Sequence, residues 1–233
     1  MNGLNLLKLR VVLALTSLCV TCEPPVVFME PQPIGEKQLI TLPDQFRGMY
    51  WCQTDSITLI INDKTIYKDL DFETSLLKSE VDSNPEVSYD NGRLYIKELN
   101  KSFPAQLKND SLVFNLTLKD TIFNISEKQV AKLFKDHLIL NIQLQDKSWE
   151  VKVLTLNQNN MLTIAQAEIP QDLDELKHIT HVDEVNYSEN EKIRQIKIAP
   201  SKEEFNQILK QGLLFDGSCM ELIRIASDSN QLY

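Results

Sequence analysis

Apolar and polar residues alternate along most of the chain after residue 43. The clearest run is 112–118, where Leu112, Phe114, Leu116 and Leu118 occupy every second position. A period of two places one set of side chains on a buried face and the other in water, which is typical of antiparallel strands. Comparable runs, separated by polar residues that favour hairpin turns, occur at 46–51, 57–61, 65–67, 93–97, 121–125, 138–144, 149–153, 162–164, 181–187, 193–198 and 219–225.

Residues 127–136 depart from this alternation. Val130, Leu133 and Phe134 have the i, i+3, i+4 spacing of an amphipathic helix, and Ser126 is a suitable N-cap residue. The segment therefore predicts a short helix. His137, which follows it, would start a strand and act as a cap partner for the end of that helix.

Two later segments also predict short helices. Asp172 precedes Leu173 and Leu176, while Ser201 is followed by two acidic residues, an apolar face and a terminating Gly212. The chain therefore predicts a mainly β fold, either an antiparallel sheet or a partly closed barrel of hairpin-linked strands, with two or three short peripheral helices. Residues 43–233 would form a single β-rich domain; the alternative is a small β-α-β subdomain from about residue 170.

The first 21 residues have a different composition. Lys8 and Arg10 precede about eleven mostly apolar residues, 11–21, and Cys22 follows them. A basic start and a short apolar run are typical of a secretory signal, and the run is shorter than the roughly 20 apolar residues that span a bilayer. Residues 1–21 are therefore predicted to be a signal peptide.

A cysteine that closes such a signal, followed by a polar and proline-rich stretch, resembles a bacterial lipoprotein. The resemblance covers only this segment, and Cys19 and Thr21 stand where that family favours Leu and Ala or Gly. It implies that Cys22 becomes the first residue of the mature chain and carries fatty-acyl chains such as palmitate. It also implies a place in the bacterial cell envelope, on the outer membrane facing the periplasm. The alternatives are a free secreted protein and an uncleaved N-terminal anchor.

The segment after this cysteine contains four prolines within ten residues, at positions 24, 25, 31 and 33. Proline favours extended backbone and opposes helix. Residues 22–42 are therefore predicted to be an extended tether, which would hold the folded part several nanometres from the membrane. Its apolar residues Val26, Val27, Phe28 and Met29 could instead dock on the domain.

The net charge limits the kinds of partner that this chain can bind, and the cysteines allow one possible disulfide. The net charge is −9 and the chain has no basic cluster, which makes nucleic acid an unsuitable partner because that affinity depends on Lys and Arg. An acidic surface is also repelled by anionic lipid headgroups, so membrane association would depend on the lipid anchor. Cys52 and Cys219 could form a disulfide in an oxidising compartment, or could each be a small buried apolar residue.

Residues with catalytic or metal-binding chemistry are few. No nucleophile, zinc-protease, phosphate-binding or dinucleotide-binding motif occurs in the sequence. His178 and His181 are weak candidates for metal ligands, and their alternative is two solvated histidines at an element boundary. Trp51 and Trp149 could line a ligand cavity together with Tyr50 and Tyr67, or could belong to the core. No cofactor is predicted.

These observations favour a non-enzymatic binding or accessory module that is lipid-anchored and contacts other envelope proteins. One alternative is a calycin-like β-barrel that binds a small apolar ligand, which requires a contiguous apolar cavity. Another is a hydrolase with a carboxylate site, which requires titratable groups that converge in a cleft. A partner-binding protein requires instead an exposed apolar or aromatic patch.

Overall fold

The chain consists of two compact units in a computed structural model, which describes residues 23–52, 57–186, 193–215 and 219–225. The larger unit contains Glu23–Lys68 and the described residues from 120 onward, and the smaller unit contains Asp69–Lys119. This division differs from the predicted single domain over 43–233. It also differs from the alternative boundary near residue 170, because the segment after that residue belongs to the larger unit.

The fold is mainly β, as the alternation predicts. The described strands are β1 (Val26–Phe28), β2 (Gly48–Cys52), β3 (Ile57–Ile61), β4 (Thr65–Leu77), β5 (Val87–Asp90), β6 (Arg93–Ile96), β7 (Lys101–Lys108), β8 (Ser111–Asn124), β9 (Gln129–Phe134), β10 (His137–Gln143), β11 (Trp149–Leu156), β12 (Met161–Gln166), β13 (Val182–Asn186), β14 (Ile193–Ile198) and β15 (Cys219–Ile225). The described α-helices are α1 (Lys78–Ser83), α2 (Leu173–Lys177) and α3 (Lys202–Gln211), and 3-10 turns cover Asp44–Phe46 and Lys97–Leu99.

The larger unit contains an open sheet. Its strand order is β13-β14-β1-β11-β12-β15-β2-β3-β4, and β10 and β9 continue from β11. Strand β1 is parallel to β14. The other strand pairs of this unit whose register is described are antiparallel. Among the described residues β13 pairs with β14 alone, so the strand path has a free edge and does not close into a barrel.

Two apolar cores lie on opposite faces of this sheet. Strand β10 contributes side chains to both cores: Ile139 belongs to one core, and Leu138 and Leu140 belong to the other. Helix α3 covers the first core and contributes Phe205 and Ile208. A strand that is buried on both faces loses the simple alternation, which explains the continuous apolar run in β10.

The smaller unit has its own apolar core. Its strand order is β4-β8-β7-β6-β5, and the chain passes between the two units within the long strands β4 and β8. The buried residues of this core come from α1 and from strands β5 to β8, and they are Val81, Val87, Leu94, Ala105, Leu112 and Phe114.

The predicted tether over residues 22–42 is wrong for the part that the structure describes. Val26, Val27 and Phe28 form β1, pair with β14 along their whole length and are at most 1% exposed. The prolines lie outside these three residues, where they do not remove a hydrogen-bond donor from the strand. Cys22 and the predicted signal peptide, residues 1–21, lie outside the described residues.

The predicted helix over residues 127–136 is also wrong, because β9 occupies most of this range and pairs with β10. Val130, Ala131 and Phe134 are buried, and so is Lys132 between them. A strand that is covered on both faces can show the same apolar spacing as a helix. Lys135 has a positive φ of 53° in the tight turn that follows, so His137 starts β10 after a turn rather than after a helix.

The two later helices confirm the predictions. The carboxylate of Asp172 accepts hydrogen bonds from the backbone N–H groups of Asp174 and Glu175 at the start of α2. Ser201 and Glu204 form a reciprocal capping box at the start of α3, and Gly212 ends that helix with a φ of 68°. No helix among the described residues is long and apolar enough to span a membrane.

Candidate interaction surface

One row of side chains crosses four neighbouring strands of the larger unit. The register pairs Thr58 of β3 with Trp51 of β2, Trp51 with Ile223 of β15, and Ile223 with Met161 of β12. Directly paired residues project from the same face of a sheet, and neighbouring strands lie about 4.8 Å apart. The row therefore extends roughly 14 Å across the sheet.

A second apolar pair lies beside this row. Ile225 of β15 pairs with Met49 of β2, and each is two residues from a member of the first row, so both project from the same face. We call Met49, Trp51, Met161, Ile223 and Ile225 the outer strip. Three of its five side chains are well exposed, at 51% for Ile223, 40% for Ile225 and 37% for Trp51.

The outer strip lies on the same sheet face as the core that α3 covers. Next to β12 on this face, Val153 of β11 pairs with Ala165 and Ile139 of β10 pairs with Val153. These three side chains are buried, and Ile139 and Val153 belong to the core that α3 covers. The outer strip has no such cover from the described residues. A contiguous exposed apolar patch of this kind is typical of an interaction surface.

A hydrogen-bond network on the opposite face holds β2 and β15 together. The hydroxyl of Tyr50 donates to the carbonyl oxygen of Phe46 at 2.7 Å and accepts from Nη2 of Arg224 at 2.6 Å. The same guanidinium lies 5.1 Å from the centre of the Tyr50 ring and donates to the carbonyl oxygen of Arg47. Burial raises the pKa of Tyr50, and Arg224 partly opposes that effect. These contacts fix the two strands that carry most of the outer strip.

The backbone conformation at the start of β2 requires glycine at position 48. Its φ of 144° is one that other residues rarely adopt, and a Cβ atom there would lie 3.5 Å from Nε of Arg224. Any larger residue would therefore strain the backbone at the edge of this network.

The histidines proposed as metal ligands have separate local partners. His178 caps the end of α2, and its Nδ1 lies 2.6 Å from the carbonyl oxygen of Asp174. Nε2 of His181 lies 2.9 Å from the carboxylate of Asp183. The described part of the chain contains no group of three or more His, Cys, Asp or Glu side chains that could hold a metal ion.

The two cysteines considered for a disulfide belong to neighbouring strands. Cys52 is a buried residue at the end of β2, and Cys219 is the first residue of β15. The register pairs Ile223, rather than Cys219, with the residue next to Cys52. The side chain of Cys219 lies outside the described residues, so the disulfide stays a prediction.

The four aromatic residues proposed to line a cavity do not share one face. Trp51 belongs to the outer strip, whereas Tyr50 projects from the opposite face into the core. Trp149 is only 8% exposed and packs in the core under α3.

The smaller unit has an open cleft of about 360 Å³. Its charged members are Glu73 and Lys108, whose oxygen and nitrogen atoms lie 4.0 Å apart. The rest of its lining is mixed and consists of Gly92, Pro104, Ala105, Gln106, Val113, Phe114 and Asn115.

Among the described residues of the larger unit, burial lowers the pKa of Lys132 and of His137. Burial lowers the pKa of Lys132, against the opposing effect of Glu36 and Glu30, and its ammonium group donates to backbone carbonyl oxygens. Burial also lowers the pKa of His137, whose Nδ1 lies 2.8 Å from the hydroxyl of Thr155. Neither residue lines the cleft of the smaller unit.

Sequence reasoning did not identify the outer strip, because its members come from three strands that are far apart along the chain. One signal was present in β2, where Met49, Tyr50 and Trp51 are consecutive apolar residues. A strand without a polar face predicts that both of its faces are covered. In the structure one of these faces remains exposed.

Comparison with known proteins gives no relative for this chain: no protein-family model, no curated protein and no solved structure matches it.

Proposed function

We propose that this protein is a non-enzymatic, lipid-anchored protein of the bacterial cell envelope that binds another envelope protein through the outer strip. The observation that carries the binding role is the apolar row of Trp51, Ile223 and Met161, in which Trp51 and Ile223 are exposed and Met161 is half-buried. Aromatic residues and methionine are enriched in protein interfaces, and a rigid surface loses little entropy on binding.

The anchoring role rests on the sequence. Lys8, Arg10 and the apolar residues 11–21 precede Cys22, the residue that the lipoprotein resemblance identifies as acylated. Fatty-acyl chains contribute about 0.8 kcal/mol per buried CH₂ group, so several chains anchor a protein durably. The mature protein would remain on the outer membrane and face the periplasm.

The open sheet favours this proposal over the calycin-like barrel. Such a barrel surrounds an apolar cavity, whereas β13 provides a free edge and the cleft of the smaller unit contains Glu73 and Lys108. Two acidic side chains of β4 also have local partners that fit a surface role. Glu73 pairs with Lys108, and Asp71 accepts a hydrogen bond from Thr117.

The anchor can be tested by the intact mass of the mature chain, expressed with its own signal in a bacterium and extracted with detergent. We expect a chain that begins at Cys22 and carries a diacylglyceryl group and an N-acyl chain. An unmodified chain that begins elsewhere would contradict the anchor.

The binding role can be tested by chemical crosslinking in the same cells, with Ile223→Asp compared with Leu107→Asp. Both wild-type side chains are 51% exposed, so the two variants add the same charge at equally exposed apolar positions, one in the outer strip and one in the smaller unit. We expect Ile223→Asp alone to abolish the crosslinked product. Equal crosslinking in the two variants would contradict a role of the outer strip.

A further inference from the structure

The beginning of the described chain is fixed to the larger unit. Nε2 of Gln195 donates to the carbonyl oxygen of Pro24 at 3.0 Å, and the N–H of Ile196 donates to the carbonyl oxygen of Pro25 at 2.9 Å. The buried strand β1 follows at once, and it pairs with β14 at all three of its residues and with β11 between Phe28 and Trp149. The chain is therefore held from residue 24 onward.

The segment after β1 is held as well. The ammonium group of Lys132 donates to the carbonyl oxygens of Pro31 and Pro33 at 2.7 and 2.8 Å. The side chain of Asn141 accepts from the N–H of Gln32 at 2.6 Å and donates to its carbonyl oxygen at 2.9 Å. These contacts leave no free spacer between β1 and the 3-10 turn at Asp44–Phe46 that could extend away from the unit.

Covalent geometry limits the distance between the predicted lipid and this fixed point. Consecutive Cα atoms are 3.8 Å apart, so the Cα atom of Cys22 lies within about 7 Å of that of Pro24. We infer that acyl chains on Cys22 hold the larger unit directly against the bilayer, with the end of the sheet at which β1 begins facing the lipid. This inference rests on the proposed lipid anchor, and its ligand is the bilayer surface of the anchoring membrane.

Val185 of β13 pairs with Gln195 of β14, the residue that holds Pro24, so β13 and β14 lie beside the start of β1. Charged residues also lie near this end, among them Glu23 and Glu184. Because acidic side chains are repelled by anionic lipids, the contact depends on the short covalent connection rather than on charge.

The test measures energy transfer from a donor dye on the acylated, full-length protein to an acceptor on lipid headgroups. The vesicles contain phosphatidylethanolamine, phosphatidylglycerol and a small fraction of rhodamine-labelled phosphatidylethanolamine. The donor is attached to a clickable amino acid either at Val185, beside the start of β1, or at Gln145. Gln145 is exposed in the turn before Trp149, the residue that pairs with the opposite end of β1. A matched variant has a flexible linker of about 20 Gly and Ser residues inserted between Glu23 and Pro24, long enough to release the unit from the surface.

We expect stronger transfer from position 185 than from position 145 in the wild-type chain, and loss of that difference in the linker variant. Equal transfer from the two positions, or a linker that leaves the transfer from both positions unchanged, would overturn the short connection. The acylated mass of the same sample would still support the lipid anchor, so the two failures are distinguishable. A chain with no acyl mass on Cys22 would overturn the anchor and this inference with it.

Discussion

Lys132 is a buried cation whose partners are backbone carbonyl groups. Its residue is 4% exposed, and its ammonium group donates to the carbonyl oxygens of Pro31 and Pro33. A buried charge is stable only when its hydrogen bonds are satisfied, and these two bonds connect β9 to the segment that follows β1. Lys132 therefore holds the segment after β1 against β9.

We expect Lys132→Met to lower the free energy of unfolding by about 2 kcal/mol, because two buried carbonyl groups lose a charged donor while the loss of the desolvated charge offsets part of the cost. The measurement is urea denaturation, with Lys128→Met as the control. Lys128 is an exposed lysine in the turn before the same strand, so its replacement should change the free energy of unfolding little. Equal effects of the two substitutions would contradict the role of Lys132.

His137 gives the fold a dependence on pH. Burial lowers its pKa below the ordinary value of 6.5; Asp136 opposes this effect and Lys135 adds to it. Between the pKa of the folded state and 6.5, the unfolded chain binds a proton that the folded chain does not. The free energy of unfolding therefore falls as the pH falls through this range, and the contribution is fully regained above about pH 6.5.

We expect His137→Gln to remove this part of the acid-induced loss of stability. The measurement is the free energy of unfolding as a function of pH from roughly 7.5 to 5, across the histidine titration range. His181→Gln, which replaces a side chain that is 85% exposed, is the comparison variant. The hypothesis fails if His137→Gln retains the wild-type slope.

At the scale of elements, the sequence predicts those whose signals are local. Helix α3 is defined by Ser201, Glu204 and Gly212, which lie within the helix or at its ends. The sequence likewise predicts strand β14 with the bounds that the structure shows, and Ile196 and Ile198 in it alternate with polar residues.

The elements that the sequence did not predict depend on distant partners. β1 is only three residues long, and its burial depends on β14, which lies far along the chain. In β9 the polar Lys132 lies among apolar residues, and its position is explained only by the carbonyl groups of residues 31 and 33. The outer strip was missed for the same reason, since Trp51 and Ile223 become neighbours only when β2 pairs with β15.

The capping box of α3 allows a test at this scale. We expect Ser201→Ala to lower the free energy of unfolding by about 1 kcal/mol, because the N–H of Glu204 loses the hydroxyl of Ser201 as its acceptor. The measurement is chemical denaturation together with hydrogen exchange of the α3 amides. Ser88→Ala, at an exposed position in β5, is the control. Unchanged exchange in α3 would contradict the importance of the cap.

At the scale of the whole molecule, each unit has separate core residues. The two cores of the larger unit contain no residue of Asp69–Lys119, and the core of the smaller unit lies entirely within that range. The chain enters and leaves the smaller unit within β4 and β8, where Lys68 and Asp120 form an ion pair at 3.1 Å. The two ends of the inserted segment are therefore close together.

We expect the larger unit to fold when Asp69–Lys119 is replaced by Asn-Gly, because this pair favours the tight turn of a two-residue β-hairpin. Trp51 and Trp149 both belong to the larger unit, so their fluorescence reports its packing directly. We expect cooperative unfolding and a native-like emission spectrum for the shortened chain. A chain without a cooperative transition would show that the larger unit depends on the smaller one.

The pairing of β1 with β14 has a consequence for the order of folding. Val26 and Ile196 are partners, yet almost the whole described chain lies between them. Contacts between distant residues form slowly, because a long loop must close before they stabilise the chain. During synthesis the apolar segment Val26–Phe28 therefore remains without its main partner until β14 emerges. The first strand of the chain completes its pairing among the last, and until then it is the segment that most needs protection from aggregation.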